Sequence, residues 1–178
     1  LQSLREFPSL SSIQRTALEA IAFSLPAKEI SSLRAAFIRM DKDGTGMITL
    51  EEMRDGLVEE GMSEEEACKI FESVNQDRTS YVSYTEFLAA TMSKRLYLTQ
   101  NRLNSAFDAL DVDASGFITR NNLRELLGDD FSKERVDAII RDADIRNDGH
   151  ISREEFMHVM ASQGEQMIEA VHAVATEA

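Results

Sequence analysis

The chain has 178 residues and a mass of 20.0 kDa, and it carries 32 Asp and Glu against 19 Lys and Arg, a net charge of −13. That balance excludes the nucleic-acid backbone as a ligand and disfavours an anionic membrane surface; it favours cations or basic partner segments. With 43% hydrophobic residues and only 2 Pro, it is no disordered acidic tail but reads as an all-α protein long enough for one domain or two small ones.

Residues 1–28 stand apart, with three basic and two acidic side chains, net +1, against −14 for the other 150. Leu10, Ile13, Ala17, Leu18, Ile21 and Leu25 fall on one helical stripe, with Arg15 off it. This predicts an amphipathic helix, a candidate internal ligand for a hydrophobic groove. The plainer alternative is an extra helix that merely caps the neighbouring lobe. The chain opens on Leu1 rather than Met and reads as a piece of something longer, so an N-terminal lipidation signal would not be visible. Cys68 is the single cysteine, which excludes an intrachain disulfide and points to a reducing, cytoplasmic setting. No apolar run reaches transmembrane length.

From residue 30 onward the chain repeats itself. Ile30, Leu33, Phe37 and Met40 share a helical face, as do Ala67, Ile70, Phe71 and Val74, then Leu103, Ala106, Phe107 and Leu110, then Val136, Ile139 and Ile140. Ser63 with Glu66 predicts a capping box. Each helix leads into a polar loop, beginning at Asp41, Asn75, Asp111 and Asp144, spaced by 34, 36 and 33 residues. Each loop has a β-branched residue at its eighth place (Ile48, Val82, Ile118, Ile151) and an apolar residue at its thirteenth (Met53, Phe87, Leu123, Phe156). Four helix–loop–helix units in two pairs result, with Ile48 expected to pair with Val82 and Ile118 with Ile151. Residues 93–99, SKRLYLT, predict a continuous or bent helical joint between the pairs. Met53, Met92, Met157 and Met160 on the exit helices suit an adaptable groove, although Met at such spacing is also ordinary core. Met167, Val171 and Val174 share a face near the C-terminus, a further helix or a frayed end.

The loops carry the chemistry of a calcium site, which needs six to eight hard oxygens at 2.3–2.6 Å. In the first, DKDGTGMITLEE, Asp41, Asp43 and Thr45 offer side-chain oxygens, Met47 its carbonyl, Thr49 a water-mediated contact and Glu52 both carboxylate oxygens, while Gly46 permits the turn. The fourth, DIRNDGHISREE, offers Asp144, Asp148, the His150 carbonyl and Glu155; Arg146 stands where a ligand is needed, so water must replace it and affinity should fall. The second, NQDRTSYVSYTE, offers Asn75, Asp77, Thr79, the Tyr81 carbonyl and Glu86, with Ser80 strained in the glycine place. The third, DVDASGFITRNN, offers Asp111, Asp113, Ser115 and the Phe117 carbonyl, but Asn122 replaces the bidentate Glu and Mg2+ becomes a competitor. Two to four Ca2+ ions are expected, the first site the strongest. A loop kept only for its strand pairing is the bland alternative for the third.

These four units resemble EF-hands. Two segments, SLSSIQRTALEAIAFSLPAKEISSLRAAFIRMDKDGTG and YTEFLAATMSKRLYLTQNRLNSAFDALDVDASGFIT, resemble the calmodulin-like domain of calcium-dependent protein kinases and the junction leading into it. The resemblance implies two lobes of paired hands, 29–92 and 100–163, joined by 93–99, preceded by an autoinhibitory junction at 1–28 and followed by a helix or tail at 164–178. It implies a Ser/Thr kinase domain N-terminal to the junction, with calcium rearranging hands and junction to relieve inhibition. This chain has no Gly-rich phosphate loop, HRD or DFG, so no catalytic activity is expected of it. The junction helix and the kinase domain would be its partners. A free-standing sensor gripping helices of other proteins is the alternative, and a passive buffer a third.

Overall fold

The computed structural model describes residues 2–75, 79–93, 97–128 and 132–161. Asp77 and the whole of the expected 164–178 tail, with Met167, Val171 and Val174, lie outside the described residues. The fold is all-α, with short strands only. The chain forms two compact units, residues 1–11 with 15–97, and residues 12–14 with 98–178.

The first unit begins with α1 (Gln2–Glu6), a 3₁₀ turn (Phe7–Ser9) and α2 (Ser12–Ser24), of which residues 15–24 count with this unit. The first pair comes next as α3 (Ser31–Met40), β1 (Met47–Thr49), α4 (Leu50–Glu59), α5 (Glu64–Val74), β2 (Tyr81–Ser83) and α6 (Tyr84–Thr91). β1 and β2 are antiparallel, with Ile48 opposite Val82 as the eighth-place pattern predicts. Both side chains are fully buried, which is why a β-branched residue recurs there. Phe37 meets Tyr84 and Phe87 edge-on at 5.0 and 5.5 Å between centroids. Gly56 lets α4 pass close to Met40, since a Cβ there would stand 3.1 Å from Met40 Cγ.

Residues 2–9 are part of this core. Leu4 and Phe7 are 2% and 1% exposed; α1 packs on α6 and the 3₁₀ turn on α5. Arg15 ties the turn down. Its guanidinium donates to the carbonyls of Leu10, Pro8 and Ser73 at 3.1, 2.9 and 3.3 Å and sits 5.6 Å from the Phe7 ring centroid. The α2 stripe is buried at Leu10, Ile13, Ala17, Leu18 and Ile21, while Leu25 lies past the helix end and is half-buried.

Two local expectations are corrected. Ser63 does accept the Glu66 N–H at 3.2 Å, but the Glu66 carboxylate goes to Arg5 Nε at 2.9 Å instead of closing the box. At the joint, α6 ends at Thr91 and Met92 has φ −60° and ψ 132°, which excludes the continuous helix; the bent alternative falls on residues 94–96, which lie outside the described residues.

The second unit holds α7 (Gln100–Leu110), β3 (Phe117–Ile118), α8 (Arg120–Leu127), α9 (Lys133–Ala143), β4 (Ile151–Ser152) and helical residues 153–161. Ile118 stands opposite Ile151 in the antiparallel pair. Phe107 and Phe156 meet edge-on at 5.6 Å, and Arg153 lies 4.2 Å over Phe107 while donating to Asp108 at 2.6 Å. Within this unit the Ser12 N–H donates to Asp142 and Gln14 Nε2 to the Val159 carbonyl, both at 2.8 Å.

Candidate metal centres

Helix α3 delivers the first loop with its last carbonyls pointing forward. Asp41 then turns the chain, its Oδ1 accepting the Thr45 N–H at 3.0 Å and its Oδ2 the Gly46 N–H at 2.9 Å. Gly46 sits at φ +83°, where a Cβ would be strained. Asp43 accepts the same Thr45 N–H at 3.1 Å, and the Thr45 hydroxyl lies 3.3 Å from the Met47 carbonyl. The turn brings Asp41, Asp43 and Glu52 together, with one oxygen of each within 4.8 Å of the others. Ligands at 2.3–2.6 Å from one ion lie no more than about 5 Å apart. The donors are all oxygen, three of them carboxylates, so the set fits a hard divalent cation such as Ca2+, with Asp41, Asp43, Glu52, Thr45 and the Met47 carbonyl as holders. Among the described residues this is the one such acidic group.

Glu52 has two duties. Its Oε2 accepts the Thr49 N–H and hydroxyl at 2.9 and 2.8 Å, and its Oε1 accepts the Lys42 N–H at 2.9 Å. Thr49 in return caps α4 through the Glu52 N–H. Thr49 is thus the helix cap, with its hydroxyl proton directed to Glu52. The same box recurs at Ser83–Glu86 and Thr119–Asn122, and Ser152–Glu155 exchange the equivalent bonds. The signal, Ser or Thr three residues before the twelfth-place residue, is present in the sequence beside the ligand pattern that masks it. Burial raises the Glu52 carboxyl, and the Thr49, Asp43 and Lys42 donors outweigh it, so it lies below its usual range. Asp43 is also lowered, by the Thr45 hydroxyl and N–H.

In the second loop Asn75 folds onto Thr79, accepting its N–H at 3.0 Å, and the Thr79 hydroxyl donates to the Tyr81 carbonyl at 2.6 Å. Glu86 is buried and caps α6. Ser80 is not among the described residues with positive φ, unlike Gly46, Gly116 and Gly149. The strain expected of a serine in the glycine place is therefore not found at Ser80.

In the third loop Asp111 accepts the Ser115 and Gly116 N–H groups at 3.0 and 2.8 Å, repeating the first. The Ser115 hydroxyl reaches Asp111 and lies 3.2 Å from the Phe117 carbonyl. Asn122 gives its one oxygen to the Thr119 N–H and hydroxyl at 2.8 and 2.6 Å. The hydroxyl of Ser115, then the Asn122 side chain, hold the Asp113 carboxyl below its usual range. Asn122 therefore places a neutral amide at the position where Glu52 places a second carboxylate beside Asp43.

In the fourth loop Asp144 accepts the Asp148 and Gly149 N–H groups at 3.1 and 2.8 Å. Asp148 is engaged by the His150 N–H at 3.4 Å and by His150 Nδ1 at 3.2 Å. The His150 ring also meets Phe117 edge-on at 4.3 Å, so it is part of a packed contact. Glu155 accepts from Ser152 and from Arg146. Burial raises its carboxyl, and the Ser152 and Arg146 donors bring it down to about 2.

The EF-hand domain pair family model matches residues 30–92 and again 100–161. The chain belongs to the EF-hand family. It is an EF-hand calcium-binding domain, and its relatives are long kinases. Calcium-dependent protein kinase 19 of Oryza sativa subsp. japonica is 35% identical over 173 residues, 93% of this chain and 32% of that protein. Calcium-dependent protein kinase 34 of Arabidopsis thaliana is 37% identical over 164 residues, 90% and 31% respectively. Calcium-dependent protein kinase 2 of Zea mays is 35% identical over 167 residues, 90% and 32%. The chain spans about a third of the length of the curated relatives it matches. The matched stretch is their EF-hand part, not a kinase domain. Among the described residues no helix is long and apolar enough to cross a membrane.

Proposed function

We infer that this EF-hand domain is the calcium-responsive regulatory part of a Ser/Thr protein kinase, and that calcium relieves inhibition by rearranging its hands against residues 1–28. The convergence of Asp41, Asp43 and Glu52 carries the calcium part of this reading. The burial of Leu4, Phe7 and the α2 stripe supports a junction that is a ligand of its own chain. Similarity to calcium-dependent protein kinases over 90% or more of the chain supports the kinase as partner, and the single free Cys68 fits a reducing, cytoplasmic setting.

Calcium titrated into the chain should give binding heat and a change in helicity and in hydrophobic-dye fluorescence. No calcium-dependent change in any of the three would overturn the reading. The kinase part is decided on the full-length gene product. There Phe7→Ala should raise activity without calcium, and an upstream frame lacking a kinase domain would leave a free-standing sensor in its place.

A further inference from the structure

The fourth loop makes the same main-chain turn as the first, with Asp144 in the place of Asp41, but its third position differs in sign. Asp43 brings a carboxylate there; Arg146 brings a guanidinium. Arg146 Nε lies 3.3 Å from Glu155 Oε1 and Nη2 lies 3.3 Å from Oε2, a two-point contact of planar fork on carboxylate. The Arg146 main-chain N–H adds 3.0 Å to Oε1, and Nε is 3.8 Å from Asp148 Oδ2. Glu155 is 5% exposed, so its charge needs a partner. Ser152 fills the other side of Oε2 with its N–H and hydroxyl at 2.9 and 2.7 Å. The residues present therefore do not fit a calcium ion as the sequence pattern suggests: the twelfth-place carboxylate already holds a cation on both oxygens.

We propose that Arg146 is the resident cation of the fourth loop, closing Glu155 onto the loop without calcium and keeping calcium out. In a loaded hand the twelfth-place carboxylate ties the exit helix to the ion. Here the guanidinium supplies that tie permanently, and helical residues 153–161 are held by it. Calcium at this loop would have to break both contacts and sit beside a fixed positive charge that is not lost at any physiological pH. The fourth hand is a calcium-independent clasp. The inference rests on reading the other loops as calcium sites, and its test separates the two.

Calcium calorimetry and calcium-free thermal unfolding on the whole chain decide it, with Glu155→Gln, Arg146→Asp and Glu52→Gln. Glu155→Gln should leave the number of bound calcium ions unchanged while lowering the calcium-free Tm of the second unit by several degrees, about 4–8 °C. Arg146→Asp should add one calcium ion per chain. If it fails to fold without calcium, Arg146→Gln should still lower the calcium-free Tm. Glu52→Gln should do the reverse of Glu155→Gln, weakening calcium binding with little calcium-free loss. Loss of one ion on Glu155→Gln, or an unchanged calcium-free Tm, overturns the clasp. A wild-type chain that binds no calcium sinks the proposed function instead, and the calcium-free Tm values then judge the clasp alone.

Discussion

The first lobe presents carboxylates where the second presents an amide or a guanidinium. At the third and twelfth places of the first loop stand Asp43 and Glu52, both acceptors. At those places the third loop has Asp113 and the neutral Asn122 amide, and the fourth has Arg146 on Glu155. Yet the three loops share the bonds that turn their main chain. The first-place Asp accepts from the fifth and sixth N–H groups in each, at 2.8–3.1 Å. The loop scaffold is therefore set by one Asp, one positive-φ glycine and the strand pair. What closes it, an ion or a side chain, is decided at two other positions. A matching loop frame is evidence of fold and is weaker evidence of calcium.

The lobes differ also in what covers them, and the largest expected effect breaks that difference. Phe7 is 1% exposed on α5 and carries Arg15 against its face. Phe7→Ala should cost about 3–5 kcal/mol. Hydrogen exchange should show faster amides in α1, α5 and α6 and unchanged amides in α9. Equal acceleration in both units would mean that residues 2–9 do not act on the first unit alone.

Next comes the first loop itself. Glu52→Gln removes an anionic bidentate ligand and should weaken that site by about 100-fold, about 2.7 kcal/mol. Calorimetry with unchanged affinity and stoichiometry would remove the first loop from its rank.

Much of this is legible in the sequence, for a physical reason. An ion with fixed ligand distances imposes fixed offsets, so Asp41, Gly46, Ile48 and Glu52 are readable from spacing alone. The pairs Ile48–Val82 and Ile118–Ile151 come from the same offsets. Residues 2–9 are not legible, because a five-residue helix and a 3₁₀ turn over Pro8 have no periodicity to read. Arg146 is readable as a poor ligand. That it reaches Glu155, nine residues on, depends on the turn that folds the loop around its own centre. Strain at Ser80 is a wrong expectation, since it assumes the left-handed glycine conformation, which Ser80 does not adopt.

A smaller effect separates the lobes by pH. Burial, with the Glu6 charge adding to it, pushes Tyr97 in the first unit up to about 12. The folded state holds this proton more tightly than the unfolded chain, whose tyrosine titrates near 10. Stability from it is fully present below about pH 10 and declines as pH rises towards about 12, by roughly 2–3 kcal/mol in all. Alkaline unfolding followed unit by unit should show the first unit failing earlier, and Tyr97→Phe should flatten its decline. An identical slope in Tyr97→Phe would place the alkaline loss elsewhere.

The smallest effect tests whether the twelfth-place amide alone separates the third loop from the first. Every other place is well furnished: Asp111 holds the turn, Asp113 and Ser115 lie at the expected positions, and Gly116 has φ +87°. Asn122→Glu keeps the Thr119 box, since a Glu at the same place accepts that N–H in the first loop. It also puts a second carboxylate at the twelfth place, where Glu52 stands in the first loop beside Asp43. Two carboxylates then repel without an ion and are bridged by one, so calcium affinity at this loop should rise about tenfold, about 1.4 kcal/mol, while calcium-free stability falls slightly. Selectivity should move with it, because a bidentate carboxylate favours the higher coordination number of Ca2+ over octahedral Mg2+. A variant that gains affinity for both ions equally would show that charge, not ligand number, limits the third loop. One that gains neither would place the defect in the loop frame the two lobes share.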